Sequence, residues 1–242
     1  MQRSLTDWGG NIVAYAVMIL LNVLSNTLPI NDQTMPEISA KYPSLFTPAG
    51  FTFSIWGVIY LALLVFLVWQ ALPAQRDNAK IAAISTWFKL NCLLNASWIV
   101  VWHYDLVIVS LLVMVGILVT LILIYRVLIA TIAAAPWAEH LALYLPFSVY
   151  TGWITLATIA NASVVHNAYG LDDAVLGAVQ RTLLKLAAAG SIGATMNLRF
   201  RDAPFALVVA WGAYGNAVAQ LETPSDAGAA LTLRKLMQNI AG

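Results

Sequence analysis

The chain has 242 residues, of which 61% are hydrophobic and 10% charged, with a formal net charge of +1 and a mean hydropathy of +0.79. A soluble domain carries about a quarter charged residues, so the composition excludes one and marks a polytopic membrane protein. No basic cluster or arginine-rich face points to nucleic acid as a partner, and the single cysteine, Cys92, excludes a disulfide framework or a cysteine-based metal site.

A bilayer core of about 30 Å takes roughly 20 apolar residues per helix. Seven stretches meet that measure: Asn11 to Ile30, Gly50 to Ala71, Ile81 to Trp102, Leu106 to Tyr125, Leu141 to Val165, Arg181 to Leu198, and Ala203 to Leu221. The first follows Arg3, yet no small-x-small cleavage pattern succeeds it, so it reads as a retained helix rather than a leader. The loop between the first two carries three prolines, Pro36, Pro43 and Pro48, and is expected to be extended or turned. "LPAQRDNAK", "AAAPW", "HNAYGLDD" and "RFRD" punctuate the rest. The tail, residues 223–242, places Ala229, Leu233, Leu236 and Ile240 at helical spacing after a capping Ser225, as a surface amphipathic helix would.

Arg3, Arg76, Lys80, Arg126, Arg199 and Arg201 fall on one side of the spans and Lys41, Arg234 and Lys235 on the other. The lysine and arginine rule then puts the N-terminus inside, with the long first loop outside. The expected location is a bacterial cytoplasmic membrane.

Polar and aromatic residues recur inside the spans at helical spacing. Phe53, Trp56 and Tyr60 share one face of the second; Asn91, Asn95 and Trp98 share one of the third. Tyr150, Trp153, Ala157 and Asn161 form a stripe on the fifth, beside the hydroxyls of Thr155 and Thr158. Trp56 lies about 9 Å below the outer helix end at 1.5 Å per residue. Asn95, Trp98, Ala157 and Asn161 fall in the outer halves of their helices, so the stripes meet at one level beneath the first loop. Polar groups in lipid must pair or face a cavity. Two readings stay open: interhelical hydrogen bonds that only pack the bundle, and an aromatic-lined ligand pocket.

"KYPSLFTP" with "FTFSIWGVIY", "LNASW", "YLPF" and "WITLATIAN", in this order between Asn11 and Asn167, resemble the translocator protein family, TspO/MBR or tryptophan-rich sensory proteins. The resemblance implies an all-α transmembrane bundle with a five-helix ligand-binding core, here over residues 1–167; the two further apolar stretches, over 168–222, extend beyond that core as additional C-terminal transmembrane helices of an enlarged variant, followed by the tail over 223–242. It also implies a porphyrin or other tetrapyrrole as ligand, with no obligatory cofactor, and hands pocket roles to Trp56, Asn95, Trp98, Trp153, Ala157 and Asn161. The chain departs from the family in Ala49 after Pro48, in Phe51 where Trp is common, and in the Pro146 to Trp153 interval, which leaves Tyr150 and Trp153 as alternatives for one aromatic position. No cation follows Tyr169, so a sterol motif is absent there.

Lys89, deep in the third span, either snorkels to the inner headgroups or offers a counter-charge to an acidic ligand. Arg181 and Lys185 form an i, i+4 basic pair suited to lipid phosphate, and Ala189 with Gly193 permits close helix packing. His103, His140 and His166 are too scattered for a metal site, and the seventh span has no lysine for a retinal Schiff base. No catalytic constellation stands out, so binding is expected rather than turnover, although porphyrin degradation has been proposed for some family members. Expected partners are membrane lipids, a hydrophobic small molecule, and a homodimer or larger membrane complex in which the chain would be a non-catalytic scaffold subunit.

Overall fold

The computed structural model describes residues 3–28, 30–131, 135–170 and 177–222. The regular elements among them are helices: α1 Leu5–Thr27, α2 Met35–Lys41, α3 Ile55–Ala71, α4 Ala79–His103, α5 Val107–Ile129, a short α6 Trp137–Glu139, α7 Leu145–Ala168, α8 Ala178–Phe200 and α9 Ala203–Glu222. The expected tail helix lies outside the described residues.

Local chemistry sets the ends. Ser4 caps α1 by accepting from the Asp7 backbone N–H, so the helix begins several residues before the apolar run. Asn78 accepts from the N–H groups of Lys80 and Ile81 at the start of α4. The first loop is not wholly extended as expected. Thr34 donates from its backbone N–H and hydroxyl to Glu37 at 2.7 and 2.8 Å, a capping box that nucleates α2 in spite of Pro36. These bonds hold the Glu37 carboxyl below its ordinary range. Between α8 and α9 only two residues turn the chain: Arg201 takes a left-handed φ of 57°, and Asp202 caps α9 through Phe205 N–H at 3.0 Å.

α4 packs between α1 and α5, α5 against α7, and α3 between α7 and α1, closing a five-helix ring. α9 lies against α7 and α8 against α9. Phe66, Phe88 and Phe147 meet edge to face at 5.1 to 5.9 Å in the middle of the ring, joined by Met18, Ile59, Leu63 and Ile154. The ring's outer surface is aliphatic, with Val13, Leu20, Leu61, Val68 and Leu112 all exposed, as a lipid-facing surface requires.

Leu5–Thr27, Gly50–Ala71, Val107–Ile129 and Trp137–Ala168 are long and apolar enough to cross a membrane. The sequence suggests seven spans. α4, α8 and α9 have 25, 23 and 20 residues, enough in length, but they are not among those four. The chain is an integral membrane helical bundle.

Candidate ligand site

α7 is the hub, buried almost all round from Pro146 to Leu156. Its hydroxyls do not all face a ligand space: those of Thr151, Thr155 and Thr158 donate to carbonyls one turn back, at 2.5 to 2.8 Å, which satisfies them within the helix. Tyr150 and Trp153 reach the ring interior. Trp56 stacks on Tyr60 with centroids 5.4 Å apart and meets Tyr150 and Trp153 edge-on at 5.8 and 6.3 Å. Phe53 meets Trp153 at 5.8 Å. Phe53 belongs to a 3-10 turn, Gly50–Ser54, rather than to the α-helix proper, yet it still joins Trp56 on the same cluster.

A polar relay lies beside these rings. The Tyr60 hydroxyl donates to Asn22 Oδ1 at 2.7 Å. Asn22 Nδ2 donates to Asn95 Oδ1 at 2.9 Å, and Asn95 Nδ2 to the Tyr150 hydroxyl at 2.8 Å. Tyr15 adds a bond to the Tyr60 carbonyl at 2.8 Å. Four helices, α3, α1, α4 and α7, are thus tied by one chain of phenols and amides. Asn22 and Tyr15 were not singled out in the sequence, although Asn11, Tyr15, Met18 and Asn22 recur every three or four residues and so share one face of α1.

Other stripe residues go elsewhere. Asn91 turns to α5, donating to Thr120 Oγ1 at 2.8 Å and the Ile117 carbonyl at 3.1 Å. Asn161 accepts from Ser110 on α5 at 3.2 Å. Trp98 stacks on Trp102 at 5.3 Å, and Ala157 is half-buried on the core's margin. Lys89 points to the N-terminal end of α1, with Nζ 3.5 Å from the Thr6 carbonyl, away from the rings. Among the described residues, the buried indole N–H groups of Trp98, Trp102 and Trp153 find no hydrogen-bond partner.

The first loop is strapped over one end of the bundle. Asn31 and Gln33 donate to the His103 carbonyl at 3.0 and 3.4 Å, Lys41 pairs with Asp105, and Asn167 donates to the Pro43 carbonyl at 2.6 Å. α9 supplies most of the rest. Asn216 and Gln220 both donate to the Leu45 carbonyl, at 2.8 and 3.0 Å. Ala49 N–H reaches the Gly215 carbonyl at 2.9 Å, and Trp211 Nε1 the Thr52 carbonyl at 3.0 Å.

A membrane-embedded helical bundle with an aromatic and amide cluster under a strapped loop is the class these features define. Residues 8–237 match the family described as TSPO-like protein, and the chain belongs to that family. The match extends through α8 and α9. No curated protein and no solved structure matches the chain.

Proposed function

We propose that the chain is a seven-span TspO-like protein of a bacterial cytoplasmic membrane, N-terminus inside, that binds a planar hydrophobic ligand, a tetrapyrrole, for sensing, transport or regulation. The observation that carries this reading is the Trp153 indole N–H, buried against the rings of Phe53 and Trp56 with no partner among the described residues. An unmet buried donor costs about 1–3 kcal/mol, a cost that an acceptor on a bound ligand offsets. Phe53, Trp56, Tyr60, Tyr150 and Trp153 would stack on the macrocycle, with Asn95 held by Asn22 as the polar fixture. Asn91 and Asn161, turned to α5, would brace the pocket wall, and Trp98 and Ala157 would line its margin. The rings touch one another, so a ligand gains access by parting them beneath the first loop. Phenols, amides and indoles bind and orient without exchanging protons near neutral pH, which favours a receptor over an enzyme.

Tryptophan-quenching titration with protoporphyrin in detergent tests this. Saturable quenching by the wild type is expected, several-fold weaker in Trp153→Phe and Asn95→Ala. Nonsaturable partitioning in all three would remove the pocket and favour a scaffold subunit of a larger membrane complex.

A further inference from the structure

Phe53 belongs to two surfaces at once. Its ring is 45% exposed, yet it meets the ring of Trp153, which is 4% exposed, with centroids 5.8 Å apart. One side chain therefore stands between the hydrocarbon and the buried Trp153 N–H, which has no partner among the described residues. Phe53 heads an exposed row that continues along α3 through Gly57, Leu61, Leu64 and Val68 at helical spacing. Gly57 interrupts that row, because a Cβ there would meet nothing within 4 Å. It leaves a notch one turn from Phe53 and three residues from Tyr60, on which Trp56 stacks. The backbone beside Phe53 is fixed: Thr52 is buried, and its carbonyl accepts from Trp211 Nε1 at 3.0 Å.

We propose that the Gly57 notch and the Phe53 ring form a lateral portal, through which a flat ligand dissolved in the bilayer slides edge-first to Trp153. This rests on the aromatic cluster being the ligand site, and it adds the phase from which the ligand comes. The energetics of the two routes differ. Lifting the first loop breaks the hydrogen bonds that its Leu45 carbonyl accepts from Asn216 and Gln220, and those that Asn31 and Gln33 donate to His103. Turning the Phe53 ring outward breaks none of these, and lipid tails replace the contacts it leaves. The ligand class selected is a macrocycle with at least one uncharged edge, since a rim charged on every side cannot cross hydrocarbon cheaply.

The experiment is stopped-flow tryptophan quenching of the full-length protein in phosphatidylcholine liposomes, with protoporphyrin or with a tetrasulfonated porphyrin that stays in water. Saturable quenching is expected with protoporphyrin and not with the sulfonated ring. Gly57→Leu overfills the notch and should slow association and dissociation alike, by about tenfold, with Kd unchanged, because a blocked passage slows both directions. Gly57→Ala should slow both part-way, and serves if the leucine variant does not fold. Phe53→Ala should speed both by about fivefold, whereas loss of stacking alone raises dissociation only. Cysteines at Lys41 and Asp105, an ion pair between the loop and the α4–α5 turn, joined by a short bismaleimide, lock the loop and should leave both rates unchanged. Unchanged rates in both Gly57 variants, arrest by the loop lock, or saturable quenching by the sulfonated ring would overturn the portal and leave the pocket standing. Nonsaturable partitioning of protoporphyrin into the wild type would remove pocket and portal together.

Discussion

Asn95 uses both ends of its amide, accepting from Asn22 and donating to Tyr150, so it can be removed only by stranding two buried groups. Asn95→Ala is therefore expected to destabilise the bundle by about 1–3 kcal/mol. A double-mutant cycle on Asn22 and Asn95, read by detergent unfolding, should give a coupling of about 0.5–1.7 kcal/mol, the range of interhelical hydrogen bonds in membranes. Coupling near zero would mean that the relay is incidental to packing. Asn95, Tyr150, Trp56 and Trp153 were legible as site candidates because a polar or aromatic residue in an apolar span must face inward. Which neighbour each one faces was not legible. Asn91 and Asn95 are a single turn apart, yet one bonds to α5 and the other to α1 and α7, because helix rotation and partner choice depend on packing that spacing alone does not encode. Lys89 shows the converse: its long apolar stem carries the cationic tip to the N-terminal end of α1, 3.5 Å from the Thr6 carbonyl, a neighbour that spacing within α4 does not reveal.

Between elements, the closest fit is α9 on the first loop. A Cβ added at Gly215 would stand 1.9 Å from Thr52 Oγ1 and under 3.0 Å from two further Thr52 side-chain atoms, an overlap that requires one segment to move. Gly215→Ala is expected to lift the 3-10 turn off α9, weaken the Ala49 and Trp211 bonds, and raise backbone hydrogen exchange over residues 45–54. Thr52→Gly in the same chain removes the clashing atoms and should restore protection. Unchanged exchange in Gly215→Ala would show that the turn is not held by α9. The long apolar spans were readable from hydropathy, since lipid imposes one requirement on every span. Two features of the first loop were not. The Thr34 and Glu37 capping box is a local signal that the three prolines overshadowed, whereas the strapping of Leu45, Ala49 and Thr52 to α9 joins residues more than 150 positions apart and has no local signature.

For the whole molecule, orientation and division into parts make separate demands. Cys92 is fully buried, so the chain offers a clean background for thiol labelling. With the N-terminus inside, Lys41→Cys should react with a membrane-impermeant maleimide on intact cells and Arg76→Cys only after permeabilisation; the opposite pattern would reverse the topology. The family resemblance sets α8 and α9 apart as additions to a five-helix core, yet the apolar core passes without a break from Met18 and Phe147 to Phe205, Val208 and Val209. Glycines allow it: a Cβ on Gly152 would come 3.1 Å from the Phe205 carbonyl, and one on Gly212 would come 2.4 Å from Leu156, so α7 and α9 meet at close backbone distance. Asp202 reinforces the joint by accepting from Ser148 on α7 and from the Tyr125 hydroxyl on α5, the latter at 2.5 Å. In a truncated chain lipid tails can replace the lost apolar contacts, because they are as apolar as the helix they succeed, but they cannot replace hydrogen bonds. A chain ending at residue 177 therefore leaves Ser148, Tyr125 and the Leu45 and Thr52 carbonyls without their α8–α9 hairpin partners. It is expected to melt well below the full-length protein in the same detergent and to lose protection over the first loop. A truncated chain with an unchanged Tm and saturable porphyrin quenching would establish instead that residues 1–167 form a self-sufficient ligand-binding core.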